Sequence, residues 1–342
     1  MNSRARVLAS IRRENTDRIP YDFWAEEATI NRIFNHVGHD DLERILIDFN
    51  VDIRHINHIV PKERKIGDFY RNYWGEQYIY KETPWGRVRE DIKGALSDSD
   101  SLDEMKTFDW PSHDMFDYSE LESLCNKYEN YAIIYGNCDI WQRPTLVRGF
   151  EKALLDHILH PEIIHFLARK FTDFYKEDYE RAYKKCKGRI DIFLIYSDFS
   201  GQNGPLISRQ MFREFVAPYL KEMIDLIHEL GAYCMFHSCG LLYPYINELI
   251  ELGVDILDPI QPIGESMKPE NLLNEFGGRI CFHGGIDTQN LLPFGSPDEV
   301  EQEVKHYASV FGYKGGYICS PAHFFQPDIP PENIIAFYRA LV

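Results

Sequence analysis

The feature that most narrows the fold is a regular alternation of short apolar runs with longer amphipathic stretches. Apolar runs at 131–135, 190–196, 232–236, 254–257, 279–282 and 315–318 have strand length, and turn residues flank them. Between and after them, helix-period patterns occupy 145–157, 161–186, 208–230, 241–252, 269–276, 297–311 and 331–341. Ser208 and Pro331-Glu332 supply helix starts; Gly231, Gly253 and Gly312 supply stops. Two earlier runs, 19–24 and 51–56, sit among helix patterns at 4–13, 27–36 and 40–49. Strands alternating with helices predict a parallel α/β sheet. Eight such strands predict a closed (β/α)8 arrangement, the TIM barrel, which typically takes about 250 residues. The chain has 342 residues and is read as one domain, 1–342. N-terminal helices and an excursion at 59–130 account for the surplus. The rival, an open doubly wound sheet, lacks a G-x-G-x-x-G after the first strand, and no P-loop is present.

Within 59–130, Phe69, Tyr70, Tyr73, Trp74, Tyr78, Ile79 and Tyr80 alternate with polar residues, and Pro84-Trp85-Gly86 reads as a turn. This predicts a β-hairpin, followed by a solvated acidic segment at 98–103. Composition sets the surroundings. Asp plus Glu number 54 against 37 Lys plus Arg, a net charge of −17 that disfavours nucleic acid and anionic membranes. No apolar run approaches the roughly 20 residues that span a bilayer. Residues 1–18 lack the apolar core of a secretory signal. Seven widely spaced cysteines fit a reducing compartment, so a cytoplasmic location is expected.

In a barrel the chemistry collects past the C-terminal ends of the strands. Those positions hold Asp22, Trp24, Arg54, His55, His58, Asn137, Cys138, Asp198, Gln202, His237, Cys239, Asp258, Gln261, His283, Asp287, Cys319 and His323. The sharpest local feature is FHSCG at 236–240: two residues apart at a strand end, His237 and Cys239 share a side. Cys319 ends the eighth strand pattern. An imidazole and two thiolates suit zinc, and three protein ligands with one open position describe a catalytic site. The same cysteines also admit a metal-free reading as small buried hydrophobes, which is how Cys234 and Cys281 are read. Asp198, before the loop SGQNGP, reads as a general base, a substrate anchor or a loop cap. His323 would bring another imidazole over the rim.

FHSCG, INELIELGVDILDPIQP (246–262), FGGRICFHGGID (276–287), residues 297–304 and GYICSPAHFFQPDIPPEN (316–333) together resemble the uroporphyrinogen decarboxylase superfamily. RVLASI and DRIP within 4–20, and SRQMFREFVAPYL (208–220), fit as well. The resemblance implies a (β/α)8 barrel. It offers two chemistries. The decarboxylases need no metal and hold substrate carboxylates with arginines near the first strand. This chain has YDFWAEE (21–27) there, acidic and aromatic, which disfavours that activity. The other branch comprises zinc-dependent methyltransferases of corrinoid systems, such as methylcobamide:coenzyme M methyltransferases, with an H-x-C…C zinc motif. On this chain the motif maps to His237, Cys239 and Cys319, with Asp258, Gln261, Glu265 or a substrate atom in fourth position. The resemblance implies Asp198 and His323 in proton handling, and Trp24, Gln202, Gln261 and His283 in substrate binding. The corrinoid would arrive on a separate protein. A thiol, or an O- or N-methyl compound, would be the small-molecule partner. A metal-independent decarboxylase-like lyase and a non-catalytic binding barrel stand as alternatives; a homodimer is compatible with all three.

Overall fold

The computed structural model describes residues 1–84 and 86–341. Strand β1 (Ile53–Ile56) is followed by β2 (Arg64–Ile66), β3 (Phe69–Arg71), β4 (Gln77–Thr83) and β5 (Gly86–Lys93). Then come β6 (Ala132–Asp139), β7 (Ile192–Tyr196) and a two-residue ribbon of β8 (Ser200–Gly201) and β9 (Gly204–Pro205). The last are β10 (Tyr233–His237), β11 (Ile256–Asp258), β12 (Cys281–Ile286) and β13 (Tyr317–Pro321). A seven-stranded parallel sheet runs in the order β1-β6-β7-β10-β11-β12-β13. Each of its strands falls on an apolar run that the sequence marked.

The sheet curls until both edges reach the segment 19–24. Tyr21 makes one parallel bridge to Val51 and another to Cys319. Pro20 O accepts from Cys319 N at 2.9 Å and Tyr21 O from Asp52 N at 2.9 Å. This segment was expected to be the first strand, yet it contributes single bridges rather than a ladder. Pro20 has no N–H to give, and the Asp22 carboxylate takes the Phe23 N–H at 2.7 Å, in competition with sheet pairing.

Period-2 alternation splits the side chains into two layers. Ile53, Ile134, Leu194, Met235, Ile256 and Ile318 fill the inside of the curl, and Val7 and Ile11 of the helix Ser3–Ile11 join them. Phe193, Ile195, Phe236, Leu257, Phe282, Tyr317 and Cys319 pack outward against the helices.

Local differences from the expected elements have visible causes. β6 runs on to Asp139 through a register shift at Gly136 (φ 120°), where a Cβ would lie 2.5 Å from the Tyr179 hydroxyl. Asn137 and Cys138 therefore lie within the strand. The 145–157 helix is two helices, Gln142–Arg148 and Phe150–Leu159, broken at Gly149 (φ 93°). Within 208–230, a π-turn at Phe212–Val216 precedes Pro218, which cannot donate the backbone bond a regular helix needs. The expected hairpin is a four-stranded antiparallel sheet, β2-β3-β4-β5. Trp85, in the expected turn, lies outside the described residues. No helix among the described residues is long and apolar enough to cross a membrane.

Candidate metal centre

His237 ends β10 in phase with Met235, so it faces the inside of the curl. Asp258 ends β11 in register with it. The Asp258 Oδ2 accepts from His237 Nδ1 at 2.5 Å, and its Oδ1 accepts from Nδ1 of His283 on β12. His283 Nε2 lies 3.1 Å from Asp22 Oδ2, and Asp22 lies 2.9 Å from His55 Nε2. Trp24 Nε1 donates to Asp22 at 2.6 Å. Imidazoles and carboxylates thus alternate in one row: His55, Asp22, His283, Asp258, His237. Burial would raise both carboxyl pKa values. The facing histidines prevail, holding Asp22 well below the usual range and Asp258 at about 2. Burial would likewise lower His283, but Asp258 and Asp22 raise it to about 9.

With Nδ1 committed to Asp258, Nε2 of His237 faces Cys239 Sγ at 3.5 Å. Burial opposes charge there, but Asp258 and then Cys239 shift this imidazole well above its ordinary pKa. His323 follows β13 and completes the group. Donor atoms of His237, Cys239 and His323 all lie within 4.8 Å of one another. His323 Nδ1 is buried and has no hydrogen-bond partner among the described residues. Burial, then the neighbouring His237, lowers the His323 pKa. Two imidazoles and one thiol fit a zinc-type ion. The carboxylate behind His237 is the usual partner of a metal-binding histidine.

Cys319 does not join them. It is in phase with Tyr317 and faces the helix layer beside Tyr21, with its thiol pushed up to about 12 by burial. The expected third ligand is therefore corrected: His323 stands in the place assigned to Cys319. His283, expected to bind substrate, is 1% exposed and held between the carboxylates of Asp258 and Asp22. Gln261 is buried and accepts from Gly240 N at 2.8 Å, so it braces the loop rather than facing substrate. Glu265, offered as a fourth ligand, is exposed and paired with Lys268. Gln202 is exposed, 3.5 Å from Gln261. Asp287 caps its own turn through Gln289 N and Asn290 N, and His58 is buried against Tyr135.

Asp198 accepts from Cys239 N at 2.7 Å and lies 4.0 Å from His237 Nε2. This bond, with Leu241 N on Gly201 O at 2.9 Å, clamps the 238–241 loop to the β8–β9 ribbon. Gly240 has φ 91°, and a Cβ there would sit 2.7 Å from the carbonyl oxygens of Ser200 and Gly201. Gly240→Ala is expected to cost about 1–3 kcal/mol in chemical denaturation. It should also displace Cys239 and lower metal retention; unchanged stability would contradict the tight packing of this loop.

Trp24 stacks on His237 (centroids 6.0 Å, 14°), Tyr196 lies 4.9 Å from His237, and Phe324 lies 4.8 Å from His323. Trp24, Tyr196 and Phe324 also line a cavity of about 760 Å³ that takes in Phe23, His55 and Glu43. Sequence reasoning missed Tyr196, which was taken as the last strand residue. Its phase with Leu194 was the available signal. It also missed Asp139, a carboxyl raised by burial to about 7 that accepts from Gln142 N and Arg143 N at 2.8 Å each.

The fold and site define an α/β protein that gathers histidine, cysteine and aspartate at the C-terminal ends of a curled parallel sheet. A model of the uroporphyrinogen decarboxylase (URO-D) family matches residues 141–341, and the chain belongs to that family. It is 25% identical over 190 residues to the uroporphyrinogen decarboxylase of Danio rerio, covering 53% of this chain and 47% of the relative. To that of Edwardsiella ictaluri it is 35% identical over 145 residues, covering 40% and 38%. The chain spans about half the length of the curated relatives it matches. A methyltransferase from Methanosarcina mazei shares the fold, with a TM-score of 0.72 at 13% identity over 99% of this chain and 98% of that one.

Proposed function

We propose that this chain is a zinc-dependent methyltransferase that moves a methyl group between a small-molecule substrate and a corrinoid carried by a separate protein. The observation that carries the reading is the convergence of His237, Cys239 and the unpartnered His323 Nδ1. The methyltransferase of like fold supports it, as does the acidic and aromatic character of 21–27, unsuited to capturing a polycarboxylate. In the same reading, segment 19–24 is the eighth stave of a (β/α)8 barrel.

His237, Cys239 and His323 would hold the ion. Zinc supplies a Lewis acid that lowers the pKa of a substrate thiol or polarises the oxygen or nitrogen of a methylated substrate. Asp258 keeps the proton on His237 Nδ1 and fixes the ring. Asp198 holds Cys239 in place through its backbone and offers a carboxylate oxygen to a proton leaving the substrate. Trp24, Tyr196 and Phe324 pack against His237 and His323 and would keep water from the centre.

The test supplies zinc-loaded protein with methylcobalamin and a panel of thiols, and with reduced cobalamin and methoxy or methylamino compounds. The expected result is a change in the methyl–cobalt absorbance with one substrate class, reduced to background in Cys239→Ala. The known relatives are decarboxylases, so uroporphyrinogen is tested in parallel with a chelator present. Turnover there, with none in the cobalamin assays, would replace the methyl-transfer reading by the metal-free one.

A further inference from the structure

The insert carries a second candidate site, outside the 141–341 segment that the family model matches. In the antiparallel pair of β2 and β3, Arg64 stands directly opposite Arg71. Like charges opposed across strands are destabilising. No acidic partner offsets this pair: among the described residues no carboxylate forms an ion pair with Arg64, Arg71 or Lys62. Glu63 is turned to the hydroxyls of Tyr78 and Tyr80. Arg71 Nε is buried without a hydrogen-bond partner, although its guanidinium carbon lies 6.0 Å from the Phe69 ring centroid. In a chain of net charge −17, these three cations gather at one place without a carboxylate ion pair among the described residues.

All three line one cleft of about 450 Å³. Its walls include Tyr73, Phe108 and Trp110, and Asp109 is the one carboxylate among the residues that line it. Phe108 and Trp110 pack edge to face at 5.1 Å, and Trp110 Nε1 donates to Met105 O at 3.0 Å, so this wall is fixed before anything binds. Paired guanidiniums match the oxygens of a phosphate or carboxylate, and an ammonium adds a point charge. Half-buried aromatic faces accept a planar ring. We propose that the cleft between β2–β3 and residues 108–115 binds a small-molecule oxyanion carried on a planar ring, through Lys62, Arg64 and Arg71. This does not depend on the methyl-transfer reading.

The test uses the full chain, with phenyl phosphate, inorganic phosphate and phenol as probes in calorimetric titrations at low salt. Phenyl phosphate should bind saturably and more tightly than inorganic phosphate, with phenol silent. Arg71→Gln and Arg64→Gln should each weaken phenyl phosphate binding about tenfold. Without ligand, each substitution should raise the melting temperature by relieving the opposed charges. Absence of saturable binding at millimolar phenyl phosphate, or binding unchanged in both variants, overturns the proposal. So does a lower melting temperature in both ligand-free variants, which would make the arginines structural. Near-ultraviolet dichroism, dominated by the aromatic residues, verifies that the insert remains folded.

Discussion

Purified protein is expected to retain about one zinc per chain, and His323→Ala should lose it while Cys319→Ser keeps it. The two substitutions separate the arrangement expected from sequence from the one the fold builds. Cys319 faces the outer layer, where loss of its sulfur costs packing alone. His323 brings its donor atoms to His237 and Cys239, and its Nδ1 has no other partner among the described residues. His237→Ala and Cys239→Ser should empty the centre as His323→Ala does. Asp258→Asn should lower zinc affinity by about 10–100-fold, the usual penalty for losing the carboxylate behind a metal-bound histidine. Metal analysis after gel filtration, with far-ultraviolet dichroism to confirm folding, decides the matter. A folded His323→Ala protein with full zinc content, or a folded Cys319→Ser protein without any, would refute the assignment.

Replacing His283 should have the largest effect on stability. Its ring lies between Asp258 and Asp22, both buried. His283→Gln leaves those carboxylates facing each other across a neutral amide. Removing one member of a buried ionic group typically costs about 3–5 kcal/mol. The pH dependence has a definite sign. Burial opposes the charged ring, but the two carboxylates raise its pKa from 6.5 to about 9. The stabilisation is therefore complete below pH 6.5 and is lost as pH rises through about 9. Urea midpoints of the parent should fall across that window, and those of His283→Gln should fall less. Equal slopes for the two proteins would show that the ring carries no proton there.

The strands were legible because each parallel strand is a dense apolar run between turn residues. The same density hid their phase. A strand buried on both faces shows no alternation, so 315–318 does not disclose which side of the sheet Cys319 takes. The phase of His237 could be stated relative to Cys239 but not relative to a residue eighty positions away. His283 looked like a substrate ligand because its partners, Asp22 and Asp258, come from distant stretches of chain. The break at Gly149 was open to inspection, since a glycine sits mid-pattern. The extension of β6 was not, because it depends on Tyr179 crowding Gly136. The insert exceeded the expected hairpin because β2 and β3 have three residues each, too few to register as strands.

Asp22 belongs to the segment that touches both margins of the curled sheet, while Asp258 and His237 stand on its opposite wall. The line of five polar side chains therefore works as a cross-tie, and His237 at its far end is anchored to the seam. Prising residues 19–24 loose, by proteolysis or local melting, would slacken His237 along with them, so the bridging of the sheet's two margins and the placing of His237 are one property of this molecule.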